Sequence, residues 1–324
     1  MRLYTFLLLA WGLVSCSAAD SKKAEVQTPA VAKKTFPEAD LFNQDSAYAF
    51  VKKQCDFGYR VPNTAPHEAC AEYLASELKR FGAEVTEQKV TLKAYDGTPL
   101  KSNNIIGVLY PEKTDRVIFF SHWDSRPYCD HDADKSNHRK PVMGANDGAS
   151  GVGVLLELAR ILQQKEPSWG VDIVFFDSED YGAPYFYEKK VEDDWCLGSQ
   201  YWSKHTHYKV QPKYGVLLDM VGGTDPSFFI DRVTARYAES SAYRVWNRAL
   251  EMGYGSAFTP KVEGSIMDDH YYVNIWAGIP TCDIIDFNAH RGFPTTWHTV
   301  NDTPENINPA TLRMVGRILT SLVY

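Results

Sequence analysis

The sequence predicts a single α/β domain with a central, twisted, mixed β-sheet flanked by helices. Three observations carry this. The apolar runs VIFF (Val117–Phe120), VDIVFF (Val171–Phe176) and YGVLLDM (Tyr214–Met220) have the length and predominantly apolar character of strands buried on both faces. Segments with helical spacing lie among them, as layers covering both faces of a sheet require. Two earlier segments read as hairpin-like strands, which adds antiparallel pairing and makes the sheet mixed.

The elements follow in order. Residues 43–63 read as an N-terminal helix and loop. HEACAEYLASELKRF (His67–Phe81) has an apolar face at helical spacing, and Gly82 is a plausible stop. AEVTEQKVTLKA alternates as a strand, and SNNIIGVLY is a second. After the strand at Val117–Phe120, GASGVGVLLELARIL (Gly148–Leu162) reads as a helix with a glycine-rich entry. Phe228–Asp231 reads as an edge strand and Tyr237–Met252 as one helix. Gly278–Asp286 contains a strand, and Pro309–Val323 is a closing amphipathic helix. The loops near 123–147, 181–199 and 286–308 are long enough to form the rim of a site.

Composition bounds the function. Among 324 residues, 44% are hydrophobic and 13% aromatic, which suits one large core rather than a disordered chain. The formal net charge of −7 argues against a nucleic-acid partner, because phosphate attracts basic fields. MRLYTFLLLAWGLVSC has a positive start and an apolar stretch too short to span a bilayer, so residues 1–15 read as a signal peptide. Leu13-Val14-Ser15-Cys16 resembles a bacterial lipobox, which implies cleavage before Cys16 and its lipidation. Residues 16–35 then read as a tether and 36–324 as the functional domain. An oxidising compartment permits a bridge between Cys55 and Cys70, with buried thiols as the alternative.

The informative pattern is where acids and histidines fall. His122 and Asp124 follow the first core strand. Asp147 precedes the glycine-rich helix. FFDSEDYG ends the next strand in Asp177, Glu179 and Asp180. Asp219 ends another, and His298 lies in a late loop. Loops beyond the carboxyl ends of strands form the usual crevice of open α/β sheets. Each motif alone could be a solvated turn or a helix cap through Asp147. Gathered in one crevice, the carboxylates would repel one another, and a divalent cation removes that cost. Imidazole nitrogen and carboxylate oxygen are standard zinc ligands.

HWDSRP, GANDGASG, FFDSEDYG, LLDM and WHT together resemble the M28 zinc peptidase superfamily. Adding SIMDDH, AGIPTCDII and GFPTTWHTVNDTPENI, the chain from about residue 45 onward is similar to the glutaminyl cyclase branch, including its bacterial members of animal type. The resemblance implies one zinc per subunit on Asp147, Asp180 and His298. A second metal, as in the peptidases, would use Asp147 with His122 and Asp219. It makes Glu179 the group that moves protons, places Asp219 and Asp268 in hydrogen bonds around it, and sets Trp297 beside the substrate glutamine. Asp268 would receive the substrate amine, Asp269 would orient a loop, and Asp283 stands where the animal enzymes carry a histidine. Asp180 is one methylene shorter than the glutamate common at its position. The implied substrates are peptides or proteins with an N-terminal glutamine, met after export at the periplasm or cell envelope by a monomer. A zinc aminopeptidase and a non-catalytic peptide-binding lipoprotein are the alternatives.

Overall fold

The structure, a computed structural model, describes residues 34–206, 208 and 211–324. The expected signal peptide, Cys16 and nearly all of the tether lie outside the described residues. Thr35–Tyr324 forms one compact unit.

Two helices come first, α1 (Gln44–Asp56) and α2 (Ala65–Arg80). The Asn43 side chain accepts the Asp45 and Ser46 amides, and Thr64 caps α2 through the His67 amide. Strands β1 (Glu84–Lys93), β2 (Pro99–Leu109) and β3 (Arg116–His122) follow, then helix α3 (Ala149–Gln164) and β4 (Gly170–Phe176). Next come α4 (Leu197–Lys204), β5 (Tyr214–Asp219), β6 (Phe228–Ile230), α5 (Arg232–Tyr237), α6 (Glu239–Glu251) and β7 (Phe258–Val262). The chain closes with α7 (Asp269–Tyr272), β8 (Thr281–Ile285) and α8 (Pro309–Val323).

Six strands form the main sheet in the order β1-β2-β4-β3-β5-β8. The β1/β2 and β2/β4 pairs are antiparallel, whereas β4/β3, β3/β5 and β5/β8 are parallel. The sheet is therefore mixed, as the sequence predicts. The register pairs Ser121 with Phe175, Phe120 with Leu217, and Asp219 with Ile285, so four strands end at one edge. The chain leaves β3 for β4 on one side and later returns to β5 on the other. That reversal opens a crevice beyond β3.

The central strands are buried on both faces, which explains their predominantly apolar character. Val117 and Phe119 of β3 enter the larger core, covered by α1, α2, α3, α6 and α8. Ile118 and Phe120 enter a smaller core with Trp202 of α4 and Val273. Gly151 lets α3 lie tight against the sheet: a Cβ there would sit 2.6 Å from the Leu218 carbonyl oxygen.

Some expectations are corrected. Phe228–Ile230 is an edge strand as expected, but of a separate two-stranded sheet, where it pairs in parallel with β7. The single helix expected over Tyr237–Met252 starts after a break at Ala238 (φ −139°), which divides α5 from α6. Asp231 caps α5 by accepting the Val233 and Thr234 amides. Helix α4, strand β7 and helix α7 are not among the elements the sequence predicts. Cys55 and Cys70 are buried free thiols, as are the other cysteines among the described residues. No helix of the described residues is long and apolar enough to cross a membrane.

Candidate active site

The parallel strand ends deliver their polar residues to one cavity of about 350 Å³. Its lining includes Asp147, Glu179, Asp180, Asp219, Asp268, Trp297 and His298. The three long loops expected at the rim all contribute, through Asp130, Trp195 and Phe293 among others.

The three acids of FFDSED separate. Ser178 adopts the left-handed region (φ 56°). Asp177 turns away from the cavity to accept from His67 Nε2 at 2.9 Å and from the Asn103 amide. The Asp124 carboxylate accepts the amides of Glu179 (3.1 Å) and Asp180 (3.2 Å), which fixes the loop that carries both into the cavity. Cys196, Met220 and His298 also hold positive φ angles. Such backbone strain concentrates at functional sites.

Asp147, Asp180 and His298 offer ligand atoms within 4.8 Å of one another, all buried. His298 Nε2 lies 3.2 Å from Asp180 Oδ1 and 3.4 Å from Asp147 Oδ2. Both Asp180 carboxylate oxygens and Asp147 Oδ2 are buried without a hydrogen-bond partner. Leaving such atoms bare is costly, and a cation bound by two carboxylates and an imidazole satisfies them. The residues thus fit one zinc. The Asp147 and Asp180 carboxylates respond differently. Burial raises Asp180, and Asp147 beside it adds to the rise. Burial also acts to raise Asp147, but His122 and His298 outweigh it and hold this carboxyl well below the usual range.

A second group, His122, Asp147 and Asp219, also brings its ligand atoms within 4.8 Å of one another. His122 Nε2 lies 3.0 Å from Asp147 Oδ1 and 3.4 Å from Asp219 Oδ1. Burial opposes protonation of His122, yet contacts with Asp124, Asp147 and Asp219 lift its pKa well above the ordinary value. Burial pushes Asp219 up to about 7, with Asp147 and Asp268 adding to it.

Glu179 stands beside the first cluster. Burial lifts its pKa well above the ordinary carboxylate range, and Asp180, Asp268 and Asp269 reinforce the rise. Its Oε1 accepts from Cys196 Sγ at 3.2 Å, and its Oε2 is 3.9 Å from His122 Nδ1. Asp268 lines the cavity and caps α7 through the Asp269 amide. Asp269 is buried behind it. Asp283, on β8, is also a layer behind: its Oδ2 lies 3.6 Å from His270 Nδ1, and His270 Nε2 lies 3.3 Å from Asp231. Asp283 is thus faced by His270, the histidine of SIMDDH.

Trp297 stacks on His298 with centroids 3.8 Å apart and packs on Phe293, forming one wall with Ile266 and Ile285. Several residues around the site are not among those the sequence singles out. Trp195 lies parallel to the His298 ring and under the Arg126 guanidinium. Arg126 grips Asp130 with two 2.7 Å bonds, and Asp130 faces His298 Nδ1 at 3.6 Å. Asp302 accepts the Asn146 and Asp147 amides at 2.7 and 3.0 Å, so it orients the GAND turn. Asp147 is no helix cap: Gly148 (φ 96°) takes that position, freeing its carboxylate. The i,i+4 spacing of Arg126 and Asp130 and the TVND tetrad were the available signals.

The model of peptidase family M28 matches residues 104–323. The chain is 49% identical to the glutaminyl cyclase of Bacteroides thetaiotaomicron solved with N-acetylhistamine, covering 87% of this chain and 98% of that one at a TM-score of 0.86. It is 50% identical to the glutaminyl cyclase of Tannerella forsythia, with the same coverage and a TM-score of 0.85. A zinc-dependent exopeptidase from Parabacteroides distasonis is 51% identical over the same shares, also at 0.85. This homology and the three-ligand cluster are those of a zinc-dependent enzyme with one zinc site per subunit. The chain belongs to peptidase family M28, in its bacterial glutaminyl cyclase branch.

Proposed function

We propose that the protein is a glutaminyl-peptide cyclotransferase that converts an N-terminal glutamine to pyroglutamate with loss of ammonia. The observation that carries this reading is Glu179: a partly buried carboxylate with raised proton affinity, beside a zinc-type cluster and inside a cavity with an aromatic wall. Zinc on Asp147, Asp180 and His298 would polarise the side-chain amide carbonyl. Glu179 accepts a proton from the α-amine as its nitrogen bonds to the amide carbon, and returns a proton to the departing nitrogen. The carbon–nitrogen bond of the amide breaks and ammonia leaves. The nucleophile belongs to the substrate, so the site needs no reactive serine, cysteine or water. Asp268 receives the amine, and Asp219 with His122 braces the proton-handling side. Trp297 packs on the glutamine methylenes and excludes water. Asp269 and Asp283 act from behind, setting the charge that Asp268 meets.

The domain division into residues 1–15, 16–35 and 36–324 belongs to the same reading. So do export, a lipid anchor on Cys16, a monomeric state and exported peptides or proteins as substrates. The second reading, an aminopeptidase, is favoured by one observation: His122, Asp147 and Asp219 can build a second metal site. Mass spectrometry of a glutamine-initiated peptide separates the two. Loss of ammonia from an otherwise intact peptide, above the spontaneous rate and abolished by chelation, is the expected result. Release of free glutamine would replace the cyclase reading with the aminopeptidase.

A further inference from the structure

We propose that Glu179, Cys196 and Asp268 form a second, thiophilic cation site whose occupation shuts the enzyme down. Glu179 and Cys196 stand at the two ends of the connection from β4 to α4, Asp268 comes from the segment before α7, and their ligand atoms lie within 4.8 Å of one another. Cys196 Sγ is 3.2 Å from Glu179 Oε1. Asp268 is buried, and its Oδ2 has no hydrogen-bond partner. Zinc bonds of about 2.3 Å to sulfur and about 2.1 Å to oxygen require the three ligand atoms to draw in around the ion through side-chain rotation. The surroundings favour a cation, because Asp269 is also buried with both oxygens unpartnered.

The donor set sets the ligand class. One sulfur with two carboxylates suits zinc in excess or cadmium, and disfavours magnesium or calcium. On binding, the Cys196 S–H bond breaks, a sulfur–metal bond forms, and the proton passes to solvent. Two of the three ligands, Glu179 and Asp268, line the cavity, which gives the ion its route. Occupation takes the Glu179 lone pair, so proton transfer stops. This last step rests on the cyclase reading above; the binding itself does not.

The test is cadmium titration of the full-length, zinc-loaded enzyme, followed by ultraviolet absorption and by turnover of a glutamine peptide. One further equivalent of cadmium should raise a thiolate-to-metal charge-transfer band and lower turnover at least about tenfold. In Cys196→Ser and Cys196→Ala, each compared with its own cadmium-free activity, the band should disappear and inhibition should fall below about twofold. Two variants are used in case one fails to fold. A wild-type enzyme with no band, or a band or inhibition that persists in a folded variant, overturns the site. Persistent inhibition without the band would place the ion on His122, Asp147 and Asp219 instead. Absence of cyclisation with an intact, Cys196-dependent band would sink the cyclase reading and leave the metal site standing.

Discussion

At the scale of single residues, burial decides what each acid does. Glu179, Asp180 and Asp177 are neighbours in sequence, yet only Glu179 combines cavity access with a strongly raised proton affinity. Glu179→Gln keeps the shape and removes the base. It should lower turnover by about 10²–10⁴-fold while zinc content stays at the wild-type level. Cyclisation at the normal rate in that variant would refute the proton role. His298→Ala removes the one imidazole of the proposed zinc set and leaves Asp147 and Asp180 facing each other. Elemental analysis should find most of the zinc gone; full occupancy would contradict the ligand assignment.

At the scale of elements, the site depends on how closely helices meet strand ends. Gly151→Ala forces a methyl group against the Leu218 carbonyl and the Ser121 side chain, both backed by the core. Overpacking of this kind costs about 1–3 kcal/mol, so the denaturant midpoint should fall. An unchanged midpoint would mean that α3 moves away freely. His67 ties α2 to the loop after β4 through Asp177. Burial works against the charged imidazole, but Asp177 outweighs it and raises the His67 pKa. The His67 side of the pair is therefore fully stabilising below about pH 6.5 and is lost as pH rises through its folded-state value, whereas burial raises Asp177, so the pair is also lost in acid as that carboxylate takes up a proton. His67→Phe should cost about 3–5 kcal/mol near pH 6, with a gap that narrows in alkaline solution. A gap that widens with pH would reverse the assigned sign.

At the scale of the whole molecule, the proposed metal cluster joins the GAND turn, the loop after β4 and the late loop at His298. An ion held there binds only the folded chain, so chelation should lower the thermal midpoint and added zinc should restore it. A midpoint indifferent to chelation would place the metal's contribution elsewhere. The sequence by itself determined the α/β class, the order of the central strands' apolar runs and the placing of acids at their ends. It could do so because burial on both faces and the end of a strand are local properties of hydrophobicity. Only the tertiary structure decided which acids meet. Asp177 turns to His67, Cys196 comes to Glu179, Asp302 orients Asp147, and β6 leaves the main sheet for β7. Most of these contacts join residues far apart in the chain, and no local periodicity encodes a distance of that kind.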